Sequence, residues 1–379
     1  MPERPRQLHI NVNILQAGVF GGSWRFPGTD PLSSYRLDHY LRVAQKAEAA
    51  LLDAVFLADG AAIRDNIRYR PTSSLEPTIV LTAIARVTER IGLIGALSSS
   101  FNDPFNVARR LATLDQLSGG RAGWDVVTTA DEASARNFGL DQPAEHGLRY
   151  EIAAEFVEVV RALWRSWEPG ALIADRDRGV FADTSKIHAI DHRGAHFTVA
   201  GPLNVPRSPQ GEPVIVQADA PEDGRALAAR IGEVIFTAAD TKAAAQEYYL
   251  DVKSRAVAFG RRPDEILILP GLSTVVGSTD AEVRQRRELL RRLGGGMGHR
   301  IVAGRPEQIA DTMIDWLDHG AADGFNVLPE GFDDFADQVI PELQRRGRFR
   351  TAYEGTTLRQ HLGLREPDYS RPGKETIYE

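Results

Sequence analysis

The chain of 379 residues contains no cysteine. Disulfides, cysteine-ligated zinc, iron–sulfur clusters and thiol catalysis are therefore excluded. It has no run of about 18 uncharged apolar residues, the length a membrane-spanning helix needs. The stretch Met1–Gln7 lacks the apolar centre of a secretory signal, so the expectation is a cytoplasmic protein with no membrane partner. Basic residues are outnumbered, 45 Lys and Arg against 52 Asp and Glu, for a net charge of −7. That balance argues against nucleic acid, whose phosphates call for clustered cations. The local run Arg284–Arg292 reads as a solvated helix face. No HxH pair, HExxH or His/Asp cluster with metal-ligand spacing occurs, and no GxSxG elbow. Metal-dependent hydrolysis and serine-nucleophile chemistry are disfavoured on that ground.

What is present is alternation. Eight short Val- and Ile-rich runs predict strands at His9–Leu15, Asp53–Ala58, Ile91–Leu97, Arg121–Thr128, Pro213–Ala218, Glu233–Thr237, Ile266–Val276 and Gly324–Leu328. Their nearly continuous apolar character is that of parallel strands covered on both faces. Helical periodicity fills the gaps at Tyr35–Leu51, Glu76–Glu89, Pro104–Leu117, Tyr150–Trp167, Glu222–Ile231, Lys242–Phe259, Asp280–Leu293, Pro306–Asp318 and Asp334–Arg346. Right-handed β–α–β units follow, and eight strands favour a closed (β/α)8 TIM barrel with insertions over an open sheet. A single domain over 1–379 is expected. Two stretches interrupt the pattern. Residues 169–213 are long, polar and rich in Gly, Pro and Asp, with short strands possible at Ile187–Ile190 and His196–Val199. Such a length in a compact barrel is expected to be an active-site excursion. Arg291–Ile301 holds Gly294, Gly295, Gly296 and Gly298 and reads as a flexible joint; it has neither the spacing nor the Lys-Ser/Thr of a phosphate-binding P-loop.

Barrel sites of this kind lie at the carboxyl ends of the strands. The polar residues there are Asn11 and Asn13, Asp59, Ser98 to Ser100, Asp125, Thr128 and Thr129, Gln217 and Asp219, Thr237, and Asn326. Hydroxyls, amides and isolated carboxylates suit a site that positions a cofactor and leaves the hard chemistry to it. Asp59 and Asp125 also leave open a two-carboxylate glycosidase.

Several stretches resemble one family. LLDAVFLADG (Leu51–Gly60), LEPTIVLTAIARVTERIGL (Leu75–Leu93) and above all SSSFNDPFNVARRLATLDQLSGGRAGWDVVT (Ser98–Thr128) resemble the nitrilotriacetate and dibenzothiophene-sulfone monooxygenases, members of the bacterial-luciferase-like flavin-dependent enzymes. The likeness continues through His146–Trp164, His192–Ala218, Gly304–Asp311, Gly320–Pro329 and Phe349–Leu364. The resemblance implies a luciferase-like barrel, reduced FMN (FMNH2) delivered by a separate NAD(P)H-dependent flavin reductase, and O2 as co-substrate. A C4a-peroxyflavin would then oxygenate a small organic substrate, in a homodimer or tetramer. It places the flavin on Asp59, on Ser98 or Ser99, on Asp125, on His146 and Tyr150, and on the turn Asp219, Ala220, Pro221. His146 and Tyr150 stand four apart and can share one helix face. Asp59 before Gly60 equally has the plain role of starting a loop. Asn11, and Trp24 with Arg25 in the glycine-rich loop Gly21–Gly28, are candidates for substrate contact, and Trp24 is equally a candidate for packing. Trp124 packs within strand 4 or lies beside the flavin.

The chain departs from the family pattern in three places. The turn after strand 5 reads Gln217-Ala218-Asp219-Ala220-Pro221 instead of carrying a glycine and a serine. An aspartate repels a phosphate, and Pro221 has no N–H to donate. Asp125 stands where an asparagine is usual, and the stretch near 290–300 is short, which implies a reduced lid. No acid or base is assigned. Two other readings belong beside this one: a deazaflavin (F420)-dependent hydride-transfer enzyme of the same superfamily, and a flavin-binding protein without turnover.

Overall fold

A computed structural model describes residues 5–15, 18–63, 65–71, 75–218, 221–294 and 299–369. All eight predicted strands form, and they are here named β1 (His9–Asn13), β2 (Ala54–Leu57), β3 (Gly92–Ser98), β4 (Ala122–Val127), β5 (Val214–Ala218), β6 (Val234–Thr237), β7 (Leu267–Val276) and β8 (Gly324–Glu330). Each pairs in parallel with its neighbour, β6 pairs with β7, and β8 returns to β1, so the sheet closes. The chain therefore folds as the α/β barrel its alternation predicts. The longer helices are α1 (Leu37–Ala49), α2 (Pro77–Val87), α3 (Pro104–Ser118), α4 (His146–Arg165), α5 (Glu222–Ile231), α6 (Lys242–Ala258), α7 (Asp280–Leu293) and α8 (Pro306–Asp318). Starts are set locally: Glu76 and Asp103 accept the Ile79 and Asn106 N–H groups at 2.8 and 3.2 Å, each followed by a proline at the first helical position. After β8 the chain is helical from Phe332 to Arg345, with a π-helical middle at Phe335–Val339.

Alternation along the strands sorts side chains between two cores. Outward residues such as Ile10, Val55, Leu93 and Phe325 pack under the helices, whereas Ala54, Phe56, Ile94, Val216, Phe236 and Leu269 fill the barrel. The filling is completed by Leu358, Leu362 and Leu364, brought in by the segment after the last helix. Leu358 meets Gly92 and Gly123 at the starts of β3 and β4, so the C-terminal segment plugs the barrel at the amino ends of its strands. Arg350 pairs there with Asp53, and Arg359 with Glu233 at 2.5 Å. The Tyr353 hydroxyl donates to the Leu52 carbonyl at 2.6 Å. The opposite end, at the carboxyl ends of the strands, is left as the mouth.

Three expectations change. The excursion over 169–213 forms two small hairpins, Leu172–Asp175 with Val180–Ala182 and His192–Arg193 with Thr198–Val199; Ile187–Ile190 is not a strand. It joins the end of α4 to the start of β5; Ser208 and Gln210 reach Asp115 and the Ala122 carbonyl at the plugged end, and the second hairpin is held by Glu155 midway along α4. It thus packs on the outside of α4 and at the plugged end, because a connection that follows a helix returns at the amino end of the next strand. The expected joint at Arg291–Ile301 leads into a short strand, Arg300–Gly304, which pairs with the upper half of β7; residues 295–298 lie outside the described residues. Helix α4 starts at His146, four residues earlier than expected.

Candidate active site at the barrel mouth

The carboxyl ends of β2, β3 and β4 are knitted into one rim. Ser98 closes β3, and its Oγ accepts the N–H groups of Ser100 and Phe101 at 3.1 and 3.2 Å and the Thr129 hydroxyl at 2.7 Å. With its oxygen engaged as an acceptor, the Ser98 hydroxyl retains its proton to offer to a ligand. The Ser98 carbonyl accepts from Asn102 Nδ2 at 2.8 Å, Asn102 Oδ1 accepts from Arg110 at 2.7 Å, and Arg110 lies 3.8 Å from Glu76. Asp59 stands beside Glu76 and Arg110 at the end of β2. Asp59 is exposed at the mouth, yet partial desolvation by the surrounding protein and the Glu76 charge raise its carboxyl above the usual value, against the pull of the Gly60 N–H and Arg110. Ser99 is different: it is buried, and its hydroxyl donates to the Val127 carbonyl at 3.1 Å, so its polar group is already used inside the fold.

The next arc is built from α4 and α5. His146 opens α4 and Tyr150 follows one turn later, their rings 5.0 Å apart and edge-on. His146 Nε2 lies 3.3 Å from Asp223 Oδ2, in the first turn of α5. The fold thus brings the His146–Tyr150 pair to the turn after β5. Asp219 and Ala220 lie outside the described residues; Pro221 is the N-cap of α5 and supplies no side-chain cap. An anion bound at this helix start would meet backbone N–H groups and His146, and also the Asp223 carboxylate. The His146–Asp223 pair would have to open for it.

Asp125 lies within β4, not at its end, and faces the barrel interior. Trp124, its neighbour, faces the helices against Phe156 and Trp164 and donates to the Leu97 carbonyl at 3.2 Å, which assigns it to packing. Asn11 is buried inside β1. In the loop after β1, Arg25 is exposed, and the Trp24 indole donates to the Tyr69 carbonyl at 2.9 Å, tying this loop to the one after β2.

Two residues that the sequence reading did not single out shape the mouth. Glu330 ends β8, two residues beyond the predicted strand. Its Oε2 accepts the Val19 N–H at 3.0 Å and the Ser23 hydroxyl at 2.8 Å, anchoring the loop that carries Trp24 and Arg25. Burial raises its carboxyl above the usual range. Gly18 approaches so closely, at φ +120°, that a Cβ there would lie 2.5 Å from Ser23 Cβ and 2.6 Å from the Glu330 carboxylate. The signal available was an acid before a glycine at a strand end, Glu330-Gly331, as in Asp59-Gly60. The second residue is His299, just ahead of the extra strand. A cavity of about 720 Å3 opens at the β1–β8 corner, lined by Asn13, Phe26, Arg36, Val275, Arg286 and Glu330 among others. Among the described residues no group of three or more His, Asp or Glu is placed to hold a metal ion, and no helix is long and apolar enough to cross a membrane.

Comparison with known proteins agrees with this geometry. The family model described as luciferase-like monooxygenase matches residues 22–324. N-acetyl-S-(2-succino)cysteine monooxygenase of Bacillus subtilis (strain 168) is 40% identical over 435 aligned positions, covering 97% of this chain and 99% of the relative. Nitrilotriacetate monooxygenase component A of Aminobacter aminovorans is 38% identical, covering 96% and 98%. Among solved structures, a long-chain alkane monooxygenase superposes with a TM-score of 0.91 at 30% identity, over 95% of this chain and 96% of that one. A riboflavin lyase solved with modified FMN and riboflavin superposes with a TM-score of 0.89 at 30% identity, over 95% and 97%.

Proposed function

We propose, from the premise that the chain belongs to the luciferase-like monooxygenases, that it is the oxygenase component of a two-component system. In this reading it receives reduced FMN from a separate NAD(P)H-dependent flavin reductase in the cytoplasm and uses O2 to insert one oxygen atom into a small organic substrate. The name of the relative from Aminobacter aminovorans, a component A, supports a partner component. The riboflavin lyase that carries modified FMN supports the flavin. The observation that carries the reading is that Asp59 and Ser98, at the ends of β2 and β3, and the His146–Tyr150 pair, held against the start of α5, stand at the open end of a barrel whose other end is plugged. Reduced flavin supplies the activation of O2 when bound.

The residues divide the remaining work. Ser98 and Asp59, at the ends of β3 and β2, would hold the flavin, and Tyr150 and His146, with the backbone N–H groups at the start of α5, would hold its phosphate-bearing end. The apolar barrel wall beneath, Phe56, Ala96 and Val216, keeps water from the reacting centre. The short link between α7 and the extra strand is a reduced lid; an alignment of 435 positions with a chain of 379 residues supports residues in the relative that this chain lacks. Exposed Ile79, Val87 and Leu117 on α2 and α3 fit a homodimer or tetramer. The test is an anaerobic titration with reduced FMN followed by rapid mixing with O2. The expected result is saturable binding, then an absorbance transient that outlives the oxidation of free reduced FMN. Oxidation at the free rate, or no binding, refutes the reading.

A further inference from the structure

The first hairpin of the segment between α4 and β5 stands out from the body. Leu172–Asp175 and Val180–Ala182 form an antiparallel pair that, among the described residues, no third strand extends. No residue from Leu172 to Ala182 is buried. The hairpin is nevertheless held in shape at both ends. At its tip Asp175 accepts the N–H groups of Asp177 and Arg178 at 3.0 and 2.9 Å and Nε of Arg178 at 2.7 Å, and Gly179 closes the turn at φ +62°. At its base the Asp183 N–H donates to the Ala171 carbonyl at 2.8 Å and the Glu168 N–H to the Lys186 carbonyl at 2.9 Å. Leu172 is paired with Ala182 and shares its face; Ile173 and Phe181, next along each strand, turn to the other face. Phe181 is 72% exposed, Leu172 48% and Ile173 37%. A lone two-stranded sheet is marginal in water, and large apolar side chains held out on an ordered one mark a contact surface.

We propose that the Ile173–Phe181 face binds the same face of a second copy of the chain, the two hairpins lying antiparallel about a two-fold axis. Charge selects that occupant. From Leu172 to Ala182 the hairpin holds two acids, Asp175 and Asp177, and two bases, Arg176 and Arg178, so it is neutral in a chain of net charge −7. Two copies meet here without net repulsion, whereas a strongly charged partner finds nothing to match. In the antiparallel arrangement the tip of each hairpin lies over the base of the other. The tip offers Asp177 and the base offers Lys186. Among the described residues neither forms an ion pair within its own chain, and Lys186 stands near Asp183 without pairing with it. The two-fold makes the Asp177–Lys186 pair twice. The contact uses none of the apolar residues of α2 and α3, and it is independent of the flavin reading. An interface confined to a hairpin lies at the small end of specific contacts, so the association is weak and depends on concentration.

Sedimentation velocity of the whole protein, from about 1 to 100 µM, tests the contact. The mass of wild type should rise with concentration. Phe181→Glu replaces a side chain that the fold leaves in solvent, and it should weaken association by about tenfold or more. Asp177→Lys and Lys186→Glu should each weaken it several-fold. The double reversal should restore it, because the pair is remade with its signs exchanged; a hairpin that mattered only to folding would show no such rescue. Melting temperature and FMN Kd should match wild type in every variant. The proposal is overturned if Phe181→Glu sediments as wild type does, if the double reversal associates no better than either single change, or if only Ile79→Glu or Leu117→Glu lowers the mass. Weaker coupling to a flavin reductase with the mass unchanged would give the face to that partner, and it too would overturn the proposal.

Discussion

Replacing Arg359 by methionine tests the barrel plug. Arg359 is 2% exposed. It donates to Glu233 at 2.5 and 3.2 Å, to the Glu212 carbonyl at 3.2 Å and to the Arg365 carbonyl at 3.0 Å. Burial alone would push the Glu233 carboxyl up, but the Arg359 charge and hydrogen bonds, with help from Arg161, hold it down at about 2. Methionine keeps the volume and removes the charge, leaving Glu233 enclosed and short of its main counter-ion. Breaking a buried pair from one side costs about 3–5 kcal/mol, and the nearby Arg161 places the expectation near the lower figure. With roughly 2.1 cal/mol/K per residue of unfolding entropy, a chain of this length has about 0.8 kcal/mol/K, so the melting temperature should fall by about 4 °C. The sign with pH follows. In wild type the depressed carboxyl contributes stability that is complete above its unfolded value and is lost as pH falls towards 2. In the variant the enclosed carboxyl is raised, so its penalty is present at neutral pH and is relieved once the group protonates. The gap between the two melting curves should therefore be largest near pH 7 and narrow towards pH 4. Calorimetry over that range decides it. A constant gap, or a loss below 1 °C at pH 7, would refute the account of the plug as an ion-paired closure. FMN affinity serves as the control and should be unchanged, because the mouth is at the other end.

Leu358→Ala empties the space over Gly92 and Gly123 and should cost about 2–5 kcal/mol, read as a loss of denaturation midpoint without change of slope. Asp223→Asn removes the carboxylate that faces His146. FMN should bind several-fold more tightly while riboflavin, which has no phosphate, is unaffected; equal effects on both would place the phosphate elsewhere. Gly18→Ala forces the loop off Glu330, so Trp24 should become more accessible to a fluorescence quencher and reduced flavin should be lost to oxidation without product; unchanged quenching would show that the anchor is not needed. Ser98→Ala leaves the Ser100 and Phe101 N–H groups without their acceptor and should weaken FMN binding at least fivefold by equilibrium titration.

The contrast between Asp59 and His299 shows where sequence reasoning stops. Asp59 was visible because it closes an apolar run before a glycine, and such a run sets strand, strand end and mouth together. His299 sits in a glycine-rich stretch with no periodicity, and only the pairing of Arg300–Gly304 with β7 aims its ring at Gly271. Glu330 was missed for a smaller reason. Pro329, which reads as a strand breaker, lies inside β8, where β1 ends short of it and leaves no partner for an N–H that proline lacks.

The excursion at 169–213 was misplaced although the sequence held the answer: it follows a helix and precedes a strand, and in a barrel that order assigns it to the plugged end. Local composition by itself determined the eight strands and most helices, because burial on two faces and helical periodicity are written residue by residue, and the want of cysteine excluded thiol chemistry. Tertiary structure alone decided that Ser99 is spent on a carbonyl while Ser98 is not, that Trp124 faces the helices, that Phe349–Leu364 is a floor, and that His146 meets Asp223. Each of these depends on which way a side chain points across a closed sheet, and closure is a property of all eight strands at once.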